Sequence, residues 1–140
     1  MTTRAILIAA AAALALSPPL TAGMAGAAKA ESQAQMIQQF AELAGQPASA
    51  ERGHAFFLAS HAGGHPDTPS CSTCHTKDPR NQGQTRAGKT IAPMAVSQSP
   101  DRFTDPKKVA KWFRRNCNTV LGRACTPGEK ADIIAYFASL

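Results

Sequence analysis

Apolar residues recur at helical spacing in four separate stretches of the chain, and each stretch carries its own start or stop signal. Ser32 to Leu43 places Met36, Ile37, Phe40 and Leu43 on one face, with Gly45 following as a stop. A second helix is expected after Ser49, including Gly53, Phe56 and Phe57. Asp105-Pro106 reads as a cap followed by proline at the first helical position, and the helix it opens should bury Val109, Trp112 and Phe113. Thr126-Pro127-Gly128-Glu129 is a capping box with proline inside it, and Ile133, Ile134, Phe137 and Leu140 form the apolar face that follows. Residues 60–71, rich in Gly, Pro, Ser and His, read as loop. Residues 76–104 hold three prolines and no sustained period, so a long loop is expected there. No internal repeat and no strand pattern stands out. The expectation is an all-α fold.

The first thirty residues follow a different rule. Arg4 precedes a twelve-residue apolar run, Ala5 to Leu16, which Pro18 and Pro19 break before a series of small residues. The run is too short to cross a membrane as a helix and has the layout of a secretory signal. Cleavage is expected after Ala28-Lys29-Ala30, before Glu31, with Gly23-Met24-Ala25 as the other candidate site. This divides the chain into a signal peptide, 1–30, and one small domain, 31–140, with no membrane span after processing, and places the product in the periplasm. The removed segment takes Arg4 and Lys29 from the 15 Lys and Arg, leaving 13 against 9 Asp and Glu. A mild net charge of about +4 suits an acidic docking partner better than nucleic acid, because no dense cationic run or aromatic platform accompanies it.

Residues 71–75 read Cys-Ser-Thr-Cys-His, and C-x-x-C-H is the attachment signature of c-type haem. Cys71 and Cys74 would each form a thioether with a haem vinyl group, and His75 would take the proximal iron position. Haem c is attached outside the bacterial cytoplasm, so the motif and the export signal imply the same compartment. A zinc site made with Cys117 and Cys125 is the competing reading, but the seven residues between those two do not match a second C-x-x-C knuckle. With Cys71 and Cys74 assigned to one covalent haem c, Cys117 and Cys125 have one available partner in an oxidising compartment, each other. Such a bridge is either a plain staple or a redox-linked one. On the far side of the iron, Met94 and Met36 are the only methionines after residue 30, and His54, His61 and His65 are further candidates. Met36 reads as core, Met94 as pocket packing, and the histidines as solvated.

Gly53 and Phe57 ahead of the motif, with Tyr136 and Phe137 in the last helix, resemble class I cytochromes c, in which the terminal helices cross at a glycine and aromatic residues pack at the contact. The chain resembles one branch more fully, the sphaeroides haem protein (SHP) family of oxygen-binding monohaem cytochromes c. The matching stretches include Ala50-Glu51-Arg52-Gly53, Pro66-Asp67-Thr68-Pro69-Ser70-Cys71, Ala87-Gly88-Lys89, Ile91-Ala92-Pro93, Pro100-Asp101-Arg102-Phe103-Thr104-Asp105, Arg115-Asn116-Cys117-Asn118, and Cys125 through Asp132. The resemblance implies a cytochrome c fold, a small helical domain around one haem. It also implies that Asn116 is the sixth iron ligand, which alone would read as a helix C-cap; Asn118 is the fallback. An amide is a weak, neutral donor that should hold ferric iron better than ferrous. Its release on reduction would open a site for the small diatomic gases O2, NO and CO. The family further implies electron delivery by a dihaem cytochrome c and a membrane cytochrome b.

Two functions follow: a ligand-binding haem protein, or a simple periplasmic electron carrier. A peroxidase or oxidase would need distal acid–base groups, and the sequence places none. Lys107, Lys108, Lys111, Arg114 and Arg115 crowd one helix as a solvated face or as the docking patch for an acidic redox partner. Arg86 and Lys89 are candidate counter-charges for the haem propionates.

Overall fold

The computed structural model describes residues 31–140, so the signal-peptide reading and its cleavage sites lie outside the described residues. Four main helices form where the caps and periodicity place them. α1 (Gln33–Ala44) starts at Ser32, whose side chain accepts from the Gln35 amide in a capping box, and stops at Gly45 in the left-handed conformation. α2 (Ala50–Leu58) is capped by Ser49. A one-turn helix, α3 (Ser72–His75), lies within the C-x-x-C-H motif itself. α4 (Pro106–Leu121) begins at Asp105, whose carboxylate accepts from the amides of Lys107 and Lys108, and α5 (Pro127–Ala138) begins at the Thr126 capping box. Among the described residues no helix is long and apolar enough to cross a membrane.

α5 is the centre of the molecule, with α1 and α2 both packed against it. The crossing with α2 is made at Gly53, where a Cβ would fall 2.0 Å from the Asp132 carbonyl oxygen and 3.0 Å from Tyr136 Cβ. No residue with a side chain permits that approach. Around the crossing, Phe57 meets Phe137 edge-on at 5.3 Å and Tyr136 at 5.8 Å, and Phe103 stacks on Phe137 at 5.7 Å. The Gly53 and aromatic expectation therefore holds in its geometry. Met36, 2% exposed, packs with Val109 and Ile134 and is core, as read.

Three expectations are corrected. Residues 76–104 are mostly irregular, but β1 (Gly83–Gln84) and β2 (Thr90–Ile91) pair antiparallel, Gly83 opposite Ile91. Two-residue strands leave no alternation to read in a sequence. Trp112, expected in the core, is 48% exposed, because Val109 and Phe113 already fill the inward side of α4 and Trp112 lies at its edge. Leu43, at the last turn of α1, is 72% exposed.

The long segment is tied down at both ends. The amides of Met94 and Ala95 donate to the Pro79 carbonyl, and those of Val96 and Ser97 donate to the carbonyls of Phe137 and Leu140. Gln33 Nε2 donates to the carbonyls of Pro100 and Arg102.

Candidate haem site

α3 is too short to be stable alone and is held by its neighbours. Gly83 of β1 presses on it so closely that a Cβ would lie 2.1 Å from the Cys74 carbonyl oxygen. Thr76, directly after His75, takes a left-handed backbone with φ 62°, which turns the chain sharply away from the motif. Neither Cys71 nor Cys74 is paired in a disulfide, and burial would push an unattached Cys71 thiol up to about 11. His75 Nδ1 is buried with no hydrogen-bond partner. Burial, aided by the nearby charge of Arg102, lowers its pKa to about 4, which leaves a neutral imidazole with a free lone pair. Two unpaired cysteines and an orphaned imidazole on one short turn fit a covalent haem with a histidine ligand.

The apolar surroundings converge on the same place. Cys71 packs against the cluster of Phe57, Ile133, Tyr136 and Phe137, which Met94, Phe103 and Phe113 also join. It also packs against Cys117, Val120, Leu121 and Cys125, together with Phe56 and Phe113. Met94 is therefore packing at the edge of this region. Cys117 and Cys125 are paired, their Cα atoms 5.5 Å apart, and tie the last turn of α4 to the residue before the Thr126 cap. That pairing removes the zinc alternative, and no cluster of three His, Cys, Asp or Glu suited to a metal occurs among the described residues.

Asn116 and Asn118 are exposed and lie inside α4, whose C-cap is Gly122, so neither is the helix cap that Asn116 alone suggested. Along the sequence Asn116 lies between Phe113 and Cys117; Cys117 belongs to the cluster against which Phe113 and Cys71 both pack. The expectation of solvated histidines changes at His61. His61 is within 3.0 Å of the Phe56 carbonyl through Nε2, and its ring lies tilted against Phe56, centroids 4.7 Å apart. His65 Nδ1 accepts from the Asp67 amide, and its own amide donates to the Thr119 carbonyl. The His61 ring thus fastens the 60–71 loop to α2, whereas the His65 side chain is 40% exposed and bonds within its own loop, only its backbone amide reaching α4. His54 is exposed on α2, its ring tilted against Tyr136 with centroids 4.8 Å apart.

Arg86 and Lys89 are exposed at the turn between β1 and β2. The cation that sequence reasoning missed is Arg102. Its Nη2 donates to the Ala92 carbonyl at 2.7 Å and its Nε to that of Pro93 at 3.1 Å, while its charge reaches His75. Only its place in the Pro100–Asp105 stretch hinted at it.

Residues 43–137 match a family described as a domain of unknown function, DUF1924. The chain is 57% identical over 122 residues to the cytochrome c-type protein SHP of Cereibacter sphaeroides, covering 86% of this chain and 95% of that protein. It is 46% identical over 68 residues to cytochrome c'' of Methylophilus methylotrophus, 48% of this chain and 47% of that protein. The solved structure of oxidised SHP, an oxygen-binding cytochrome c, superposes with a TM-score of 0.77 at 58% identity, covering 79% of this chain and 99% of the other. Oxidised cytochrome c'' superposes with a TM-score of 0.65 at 31% identity, covering 76% and 93%. A solution structure of that protein, concerned with haem-ligand detachment, gives 0.66 at 32% identity, covering 77% and 93%. With most of its length aligned to a cytochrome c at this identity, the chain belongs to the sphaeroides haem protein family of c-type cytochromes and carries one covalently bound haem c.

Proposed function

We propose that this protein is a periplasmic monohaem cytochrome c in which Asn116 ligates the ferric iron and leaves it on reduction, so that the ferrous haem binds O2, NO or CO. Cys71 and Cys74 hold the haem, His75 is the proximal ligand, and electrons come from an acidic partner cytochrome. Haem supplies the redox change and the exchangeable coordination position. The observation that carries the reading is that Phe113 and Cys117, which flank Asn116 along α4, belong to the same apolar packing as Cys71. The other donors have work elsewhere. Met36 is buried among Val109 and Ile134, and His61 and His65 bind backbone groups of their own surroundings.

Asn116 offers a carbonyl oxygen and no basic nitrogen. Such a donor loses more than a thioether or an imidazole when the metal's charge falls. The pairing of Cys117 with Cys125 braces the turn beside it, so the amide is presented by a fixed backbone and swings away on its side-chain torsions. The oxygen binding stated of SHP and the ligand detachment studied in cytochrome c'' support this behaviour in a chain of the same fold. A simple electron carrier is the second reading, because Met94 also packs in the cluster that Cys71 joins. The deciding experiment compares Asn116→Ala with Met94→Ala. Asn116→Ala should leave the ferric haem high-spin or water-ligated while the ferrous form still binds CO. A ferric low-spin spectrum that survives Asn116→Ala and is lost in Met94→Ala would overturn the proposal in favour of the carrier.

A further inference from the structure

Residues 106–125 contain six cations and no acid. Within α4 these charges share a side. At 100° per residue, Lys107, Lys111, Arg114 and Arg115 fall together, away from Val109, Phe113, Cys117 and Val120. All four are exposed, whereas Val109, Cys117, Val120 and Leu121 are buried. Among the described residues Lys108 is the one α4 cation that meets a carboxylate, Asp105 at 3.8 Å. Lys107, Lys111 and Arg115 succeed one another at four-residue intervals, so they repel one another along the helix. The exposed Trp112 ring lies between two of them, with Lys111 Nζ at 5.4 Å and Arg115 Cζ at 5.3 Å from its centroid. An aromatic ring among unpaired cations has the composition of an interface centre rather than of ordinary solvated surface. Trp112 also stands one helical turn before Asn116.

We infer that the outer face of α4, with Lys107, Lys111, Arg114 and Arg115 around Trp112, is the docking surface for an acidic redox protein, seated one turn from the distal ligand. This rests on the reading that the haem receives electrons from a partner. Charge selects the occupant. A second copy of this chain would bring the same cations together, and the large aliphatic side chains of α4, Val109, Val120 and Leu121, are buried, leaving none of them for a lipid surface to take up. An acidic face would offset the repulsion along α4 and steer the encounter.

The test uses the holoprotein and flavodoxin, a small, strongly acidic electron donor, as the probe. The chain has one tryptophan, so its indole N–H is a single NMR resonance. Titration with oxidised flavodoxin at low ionic strength should shift that resonance, and salt should reverse the shift. Lys111→Gln/Arg115→Gln should slow reduction by flavodoxin hydroquinone about ten-fold at low salt and flatten the salt dependence. Leu43→Glu/Ala55→Glu, at exposed positions of α1 and α2, changes net charge equally and should alter the rate less than about two-fold. Equal slowing in both variants, or an indole resonance that does not move, would overturn the assignment. So would stronger binding to phosphatidylglycerol vesicles than to flavodoxin, lost in the same α4 variant. The indole titration is independent of whether Asn116 leaves the iron, which the CO spectrum reads separately.

Discussion

Asp132 is a charged side chain buried on α5, and its bonds explain why it is tolerated. Its carboxylate accepts from the Ser49 amide at 2.6 Å and from Arg52 Nε and Nη2, both at 2.8 Å. One side chain therefore joins α5 to the cap and first turn of α2. Replacing it with Ala strands a backbone N–H and a guanidinium, and Asp132→Ala should cost about 2–3 kcal/mol in urea unfolding. Asp132→Asn keeps an acceptor for Ser49 and should cost about half as much. A loss below roughly 0.5 kcal/mol in both would show that water replaces the pair. Arg102 acts on the other side of the molecule. It is clamped to the carbonyls of Ala92 and Pro93, with its charge felt at His75. A partly buried cation there favours the less positive, ferrous state of the centre. Arg102→Gln should therefore lower the midpoint potential, read by spectroelectrochemistry, and an unchanged or raised potential would refute this.

Helix ends and one crossing set the arrangement of elements. Gly53→Ala would drive a Cβ into the Asp132 carbonyl, so α2 and α5 must separate. The expected loss is about 1–3 kcal/mol, with the aromatic near-UV dichroism of the Phe57, Tyr136 and Phe137 cluster reduced. Glu129 closes the Thr126 cap and also accepts from Arg123 at 2.6 Å and 2.8 Å. The Arg123 hydrogen bond, with help from Thr126, holds its pKa below the ordinary 4.5. The folded state then binds that proton less readily than the unfolded chain. Its stabilisation is present above pH 4.5 and is lost as pH falls through the depressed value. Glu129→Gln should flatten the acid limb of a Tm-against-pH curve below about 4.5 and lower Tm at pH 7. The α1, α2, α4 and α5 boundaries were legible in the sequence because Ser32, Ser49, Asp105-Pro106 and Thr126 act on their own next few residues. The β1–β2 pair was not, since two-residue strands carry no alternation and Gly83 is fixed by its close approach to Cys74 in α3. Trp112 misled for a related reason: an edge position on an amphipathic helix is settled by its neighbours, here Lys111 and Arg115. The C-x-x-C-H motif was legible as a local signature. Asn116 was legible only through family resemblance, since a helical asparagine has no signature of its own, and Arg102 was hidden because its contacts are to backbone carbonyls.

At the scale of the molecule, the pairing of Cys117 with Cys125 connects stability to the site. It closes a loop spanning eight residues between the end of α4 and the start of α5. Loop-closure entropy puts its stabilisation at about 2.5 kcal/mol. Cys117 and Cys125 also belong to the packing that includes Cys71 and Phe113, so the bridge connects the start of α5 to the surroundings of Cys71 and to the turn carrying Asn116. Two outcomes separate a staple from a brace for the ligand. The unfolded, unreduced holoprotein should titrate with no free thiol, and finding two would remove the bridge from the argument. Cys117→Ser/Cys125→Ser should then lower stability by about 2.5 kcal/mol. If the bridge presents the Asn116 amide, the same variant should raise the high-spin fraction of the ferric haem at temperatures where the protein remains folded, while ferrous CO binding is preserved. The two readouts are independent, because global stability depends on loop entropy and the spin state on the local backbone at Asn116. A variant that loses stability but keeps an unchanged ferric spectrum would make the bridge a staple alone. The hold on Asn116 would then have to come from α4 itself, through Phe113 and the buried turn that ends at Leu121.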